Sequence, residues 1–199
     1  MMPRAMSETP RVGLLGSGRG TNFQALLDAQ RRGALDCRFA VVLSDVRDAP
    51  ILDLARQAGI PCEHVPPGPR RSRLSDEAEA RFVASLRQHQ VDWVVLAGFM
   101  RLVGPGLIDA FPGRIINVHP SLLPKFRGLE AWRQALEAGE TRTGCTVHYV
   151  EAGMDTGTVI AQAEVPIEPG DTPEALHARI QLAEHQLLPA TLQKLLSQP

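Results

Sequence analysis

The sequence predicts an α/β protein: a single domain with a mostly parallel sheet, flanking helices, and antiparallel strands near the carboxyl terminus. Three observations carry that prediction. Short apolar runs alternate with helical patterns over the first 120 residues, as parallel strands joined by right-handed crossovers require. A glycine-rich stretch lies between the first apolar run and the first helical pattern. Beyond residue 120 come two longer strand-like runs with a short glycine-containing connection, which suits an antiparallel pair.

Val12 to Gly16 is the first apolar run, followed by a helix in which Phe23, Leu26 and Leu27 share a face. Phe39 to Leu43 is the second strand, and Ile51, Leu54 and Ala55 follow at helical spacing. Cys62 to Val65 predicts a short strand. Ala78, Phe82, Val83 and Leu86 mark an amphipathic helix. Trp93 to Ala97 is the most strongly apolar run. Ile115, Ile116 and Val118 form another strand, which Pro120 ends because proline cannot donate to a sheet ladder. Ala131 to Ala138 reads as a helix stopped at Gly139. Thr146–Val150 and Val159–Val165 are the two later strands, joined through residues 151–157. Thr172-Pro173-Glu174 starts the last helix with a capping side chain, a proline at the first helical position and an acid near the dipole. Its buried stripe is expected to be Leu176, Ile180, Ala183 and Leu187. This order is Rossmann-like.

Composition narrows the function classes. Hydrophobic residues make up 44% and charged residues 22%, values of an ordinary globular chain. Lys and Arg number 21 against 22 acids, and no basic run exceeds Arg70-Arg71-Ser72-Arg73, which argues against a dedicated nucleic-acid binder. Cys37, Cys62 and Cys145 are widely spaced and odd in number, so a reducing compartment is expected rather than a disulfide scaffold. Cys145 and His148 have a Cys-x-x-His spacing without further ligands, and no metal is expected. No apolar run approaches the roughly 18 to 20 residues that span a membrane. Without repeats or a linker, residues 11–199 are expected to form one domain after a flexible extension over 1–10. A cytoplasmic location is the expectation.

The chemistry concentrates in Asn117-Val118-His119-Pro120. Side chains alternate along a strand, so Asn117 and His119 point the same way at its carboxyl end, where open α/β sheets keep their ligand sites. An imidazole there can move protons near neutral pH, and an amide can donate to a developing oxyanion. Ser121 lacks the glycine-flanked elbow of a serine nucleophile. The loop Gly16-Ser17-Gly18-Arg19-Gly20-Thr21-Asn22 combines close backbone approach with a helix amino end, an arrangement suited to phosphate. A dinucleotide site is the rival reading, with Asp45 as its ribose acid. Thr21 or Phe23 then occupies the position where that motif needs its last small residue for close helix packing.

These features resemble the folate-dependent phosphoribosylglycinamide formyltransferases of purine synthesis. The resemblance runs from Arg11 to about Lys194. It rests on Ser17-Gly18-Arg19-Gly20-Thr21-Asn22, Leu96-Ala97-Gly98-Phe99-Met100-Arg101, Asn117-Val118-His119-Pro120-Ser121-Leu122-Leu123-Pro124 and Gly153-Met154-Asp155-Thr156-Gly157. It implies formyl transfer from 10-formyltetrahydrofolate to the amine of glycinamide ribonucleotide, with Asn117, His119 and Asp155 catalytic. Gly20, Thr21 and Asn22 would hold the phosphate, and Gln181 and Glu184 the ribose and glycinamide portions. The latter pair shares a helix face, expected to lie away from the Leu176–Ile180 stripe. Folate would lie among Met100, Arg101, Leu102, Val103 and Asn117 and the loop Glu151, Ala152, Gly153, Met154 and Asp155, with Arg73 near its glutamate tail. His148 is placed near the site, and His64, His89, His177 and His185 at the surface or in structural roles.

The expected mechanism has Asn117 and a protonated His119 stabilising the oxyanion, while Asp155 relays the amine proton through water and raises the histidine pKa. A formyltetrahydrofolate hydrolase shares this catalytic pattern but carries an amino-terminal regulatory domain, for which ten residues leave no room. A methionyl-tRNA formyltransferase needs a further tRNA-binding domain. A non-catalytic nucleotide-binding module leaves the trio without a purpose. The expectation is therefore a transferase of small molecules, without nucleic-acid or membrane partners, acting as a monomer or homodimer.

Overall fold

The computed structural model describes residues 9–198. The elements are β1 (Arg11–Leu15), α1 (Thr21–Arg31), β2 (Arg38–Ser44), α2 (Pro50–Gln57), β3 (Cys62–His64), α3 (Asp76–Gln88) and β4 (Trp93–Leu96). They continue with α4 (Pro105–Ala110), β5 (Ile115–His119), α5 (Ala131–Glu137), β6 (Arg142–Tyr149), β7 (Val159–Pro166) and α6 (Pro173–Leu196). The extension expected over residues 1–10 lies outside the described residues except for Thr9 and Pro10.

One seven-stranded sheet runs β3-β2-β1-β4-β5-β6-β7. The first five strands pair in parallel, and β6 joins β5, and β7 joins β6, antiparallel. The expected architecture is therefore the observed one. Strand side chains alternate between two apolar layers. Val12, Leu14, Val95, Ile116 and Val147 pack towards α1, α2 and α6, whereas Leu15, Leu43, Val94, Leu96 and Ile115 pack towards α3 and α4. Each fully buried side chain of this size contributes roughly 1.5–3 kcal/mol. Phe82 on α3 meets Phe99 edge to face at 5.7 Å, tying that layer to the loop after β4.

Three details depart from the sequence reading. Helix α4 was not anticipated: six residues beginning Pro-Gly are too short to show a helical period. Strand β6 begins at Arg142, four residues earlier than expected. The buried line of α6 is Leu176, Ile180, Glu184, Leu188 and Leu192, whereas Ala183 and Leu187 are half-buried beside it. The helix keeps a strict i+4 line and carries a carboxyl side chain within it. Thr172 caps α6 by accepting from the Ala175 N–H. No helix among the described residues is long and apolar enough to cross a membrane.

Candidate active site

The chain moves outward from β1 to β2 and β3, then returns to β4 on the other side of β1. The crevice at that reversal, at the carboxyl ends of the strands, is where sheets of this kind leave room for ligands. A cleft of about 1180 Å³ opens there. It exceeds the usual volume of a single small-ligand pocket, about 300–1,000 Å³, and has room for two reactants. Polar groups stitch its floor together. The Ser17 N–H donates to the Gly98 carbonyl at 3.0 Å and the Ser17 hydroxyl to Asp45 at 2.5 Å. The Met100 N–H donates to the Ser17 hydroxyl oxygen at 2.8 Å, and Arg101 donates through Nε to Asp45 at 2.8 Å. Asp45 is thus a buried structural anion. That occupation removes it from the role of ribose acid and with it the chief support for a dinucleotide site.

One end of the cleft is the glycine loop. Gly20 starts α1 with φ +75°, and a side chain there would run into Ile51. The first turn of α1 contains no acidic residue of its own, and the helix amino end lies at the cleft. Thr21 lines this end. The Asn22 side chain is committed elsewhere: its Nδ2 donates to Glu184 Oε2 at 3.0 Å, and its Oδ1 has no partner among the described residues. Glu184 is only 5% exposed, and burial lifts its carboxyl to about 7 against the opposing Asn22 hydrogen bond. The expected placement of Glu184 away from the buried stripe is therefore corrected. It sits within the stripe and reaches the cleft where its carboxyl meets Asn22. Gln181 also lines the cleft, as does His177 one turn earlier, stacked on Trp132.

At the centre, β5 presents Asn117 and His119 side by side, as alternation predicts. His119 Nε2 lies 2.8 Å from the Phe126 carbonyl. A carbonyl only accepts, so this nitrogen carries hydrogen, and Nδ1 faces Asp155 Oδ2 at 3.4 Å. Asp155 also accepts the Gly128 N–H at 2.9 Å. His148 enters from β6, where it pairs with Asn117 in register. Its Nδ1 is 2.8 Å from the Tyr149 carbonyl and its Nε2 is 3.2 Å from Asn117 Nδ2. The first contact makes Nδ1 the donor, which leaves Nε2 to accept from the Asn117 amide and fix its orientation. His148, expected merely near the site, is the residue that aims Asn117. Its signal in the sequence is the polar pair Thr146 and His148 at alternate positions of a buried strand.

The protonation of His119 also differs from expectation. Burial lowers its pKa, and the Asp155 charge and the Phe126 carbonyl offset this only in part, with His148 lowering it further. The resting imidazole is neutral rather than protonated. Asp155 titrates below the usual carboxylate range: burial raises it, but the neighbouring His148 and His119 rings and the Gly128 N–H together outweigh that. A carboxylate and an imidazole lone pair thus face one another across a gap that a proton can bridge.

The other end is more apolar. Met100, Arg101, Leu102, Val103, Glu151, Gly153 and Met154 line it, whereas Ala152 does not. Arg73 is not a lining residue either. It is exposed and bridges Leu102 through its backbone, while Arg71 and Ser72 form the wall. Arg101 is held by Asp45 and by the carbonyls of Arg70 and Arg71. Among the described residues no group of His, Cys, Asp or Glu side chains is placed to hold a metal ion.

Fold and cleft define a doubly wound α/β protein whose site, at the switch point, centres on an asparagine, a histidine and an aspartate. The chain belongs to the formyl transferase family, whose model matches residues 10–192. It is 47% identical over 189 residues to a trifunctional purine biosynthetic protein adenosine-3 of Drosophila pseudoobscura pseudoobscura, covering 94% of this chain and 14% of that protein's length. A glycinamide ribonucleotide transformylase 1 from Symbiobacterium toebii superposes with a TM-score of 0.90 at 47% identity, over 96% of this chain and 89% of the other. A formyltetrahydrofolate deformylase from Pseudomonas syringae pv. tomato superposes with a TM-score of 0.88 at 30% identity, over 96% of this chain and 62% of its own.

Proposed function

We propose that this enzyme transfers the formyl group of 10-formyltetrahydrofolate to the primary amine of glycinamide ribonucleotide in purine (IMP) synthesis. The observation that carries the reading is the position of Asn117, His119 and Asp155 between a phosphate-suited loop and an apolar wall. Similarity to transformylases that the chain matches over nearly their whole length supports it. Gly20 and Thr21 hold the phosphate through the α1 amino end, and Gln181 and Glu184 hold the ribose and glycinamide portions beside Asn22. The folate lies along Met100 to Val103 and Glu151 to Asp155, with Arg73 near the mouth for its glutamate tail. The protein works on small molecules without nucleic acid, as a monomer or homodimer in the cytoplasm.

The amine attacks the formyl carbon, and the carbonyl oxygen becomes negative. The free N–H of Asn117 meets that oxygen, and a single such donor is commonly worth about 3 kcal/mol. The attacking nitrogen must lose a proton, and N10 of the departing folate must gain one. Asp155 and His119 Nδ1 accept the proton into the gap between them, where each stabilises it on the other, and return it to N10. The neutral resting state of His119 suits this cycle, because the imidazole begins with a vacant site.

Asp155→Asn keeps the shape of the side chain and removes the charge. Turnover should fall about 100- to 10,000-fold, the usual cost of a positioned acid-base group, while folate binding changes little. Near-wild-type turnover in this variant would contradict the assignment. The similarity to a deformylase keeps a second reading open, transfer of the formyl group to water. The two readings differ in whether an acceptor amine is needed.

A further inference from the structure

His177 is an unusual occupant of the acceptor end. Its ring lies on that of Trp132 with centroids 3.6 Å apart and planes 2° from parallel. It stands four residues before Gln181 and seven before Glu184, so all three share the face of α6 that lines the cleft. Neither ring nitrogen has a hydrogen-bond partner among the described residues, and Arg19, in the loop before α1, has no ion pair among them either. Glu184 is turned to Asn22, and that contact takes the one side-chain amide that the glycine loop could have offered to an anion. A phosphate monoester carries about −1.5 to −2 charges at neutral pH, more than one helix end balances.

We propose that His177, stacked on Trp132 beside Arg19, is a further determinant of acceptor recognition, donating hydrogen bonds to the nucleotide's phosphate while Trp132 positions its ring. The proposal rests on the reading of the acceptor as a ribonucleotide. Trp132 is on α5 and His177 on α6, and their stack fixes the ring orientation without consuming either nitrogen. In the empty cleft, burial and then the Arg19 charge hold the His177 pKa below its ordinary value, so the ring is neutral. An arriving phosphate dianion reverses the local field and draws a proton onto the ring, where the indole face also favours a cation. Nucleotide binding is then coupled to proton uptake, and affinity declines as pH rises.

The test compares wild type, His177→Ser and His177→Arg across pH 6 to 9. Calorimetric Kd values are taken for glycinamide ribonucleotide and for glycinamide riboside, which lacks the phosphate, and KM and kcat are measured for the complete reaction. His177→Ser should weaken the nucleotide roughly tenfold at the acidic end, the scale of one charge-assisted hydrogen bond, with the gap closing at the alkaline end. The riboside should bind both proteins alike, with kcat and the folate KM retained. Arginine stays charged and can lie on Trp132, so His177→Arg should restore nucleotide affinity and remove the pH-dependent difference. Glu184 titrates in all three proteins and cancels in the comparison. Equal nucleotide affinity in wild type and His177→Ser at every pH would overturn the proposal, as would equal losses for nucleotide and riboside. Absence of any formylated product from wild type would instead overturn the transfer reading, and the binding measurements would still decide the part played by His177.

Discussion

Burial lowers the pKa of His119 and lifts that of Glu184 to about 7, so the two side chains give folding stability opposite dependences on pH. The stability that His119 contributes by staying neutral is present above its unfolded value near 6.5 and is lost as pH falls below it. Glu184 behaves in the reverse sense. Its contribution is complete below 4.5 and is lost as pH rises to about 7. Its shift corresponds to at most on the order of 3 kcal/mol, since each pKa unit is about 1.4 kcal/mol. Glu184→Gln keeps the side chain's length and cannot ionise. Urea unfolding should therefore show the variant gaining on wild type between pH 4.5 and 7, with a constant difference above that window. A difference independent of pH would mean that Glu184 ionises as freely folded as unfolded. The inward aim of Asn117 and His119 was legible from alternation along one strand. The place of Glu184 was not, because a carboxylate in an apolar line reads as an interruption until Asn22, 162 residues away, is known to receive it.

At the scale of elements, the β1–α1 loop gives the sharpest contrast. Gly18 has open space where a Cβ would go, whereas Gly20 has φ +75° and Ile51 in the way. The two glycines look equivalent in sequence. Gly18→Ala should leave stability within about 0.5 kcal/mol of wild type. Gly20→Ala should cost about 1–2 kcal/mol from its left-handed backbone alone and should raise the KM for the nucleotide more than that for folate. Thermal unfolding and steady-state kinetics of the pair check this, and equal tolerance at both positions would contradict the account of the loop. Strands and long helices were legible because each repeats its period several times. Helix α4 was not, and neither was the use of Arg101, whose guanidinium serves Asp45 rather than standing free at the cleft.

At the scale of the whole molecule, the alternation of strands and helices, followed by two longer strands, was enough to anticipate a parallel sheet with an antiparallel edge. The strand order was not legible, since it depends on which way each crossover returns. Pairing of β5 with β6 had the largest consequence, because it brings His148 against Asn117 and orients that amide. The loop after β6 then carries Asp155 across to His119, so β5, β6 and that loop meet in one cleft. A centre built between a phosphate-suited loop and an apolar wall has a place for two reactants, and the account requires both to be present for the formyl group to move. The most direct measurement is the fate of that group when wild type is mixed with 10-formyltetrahydrofolate, with and without glycinamide ribonucleotide. Mass spectrometry of the nucleotide and an assay for formate should show one formyl group gained per folate consumed, and little formate when the acceptor is omitted. Rapid formate release that ignores the acceptor, with no change in the nucleotide's mass, would contradict the account.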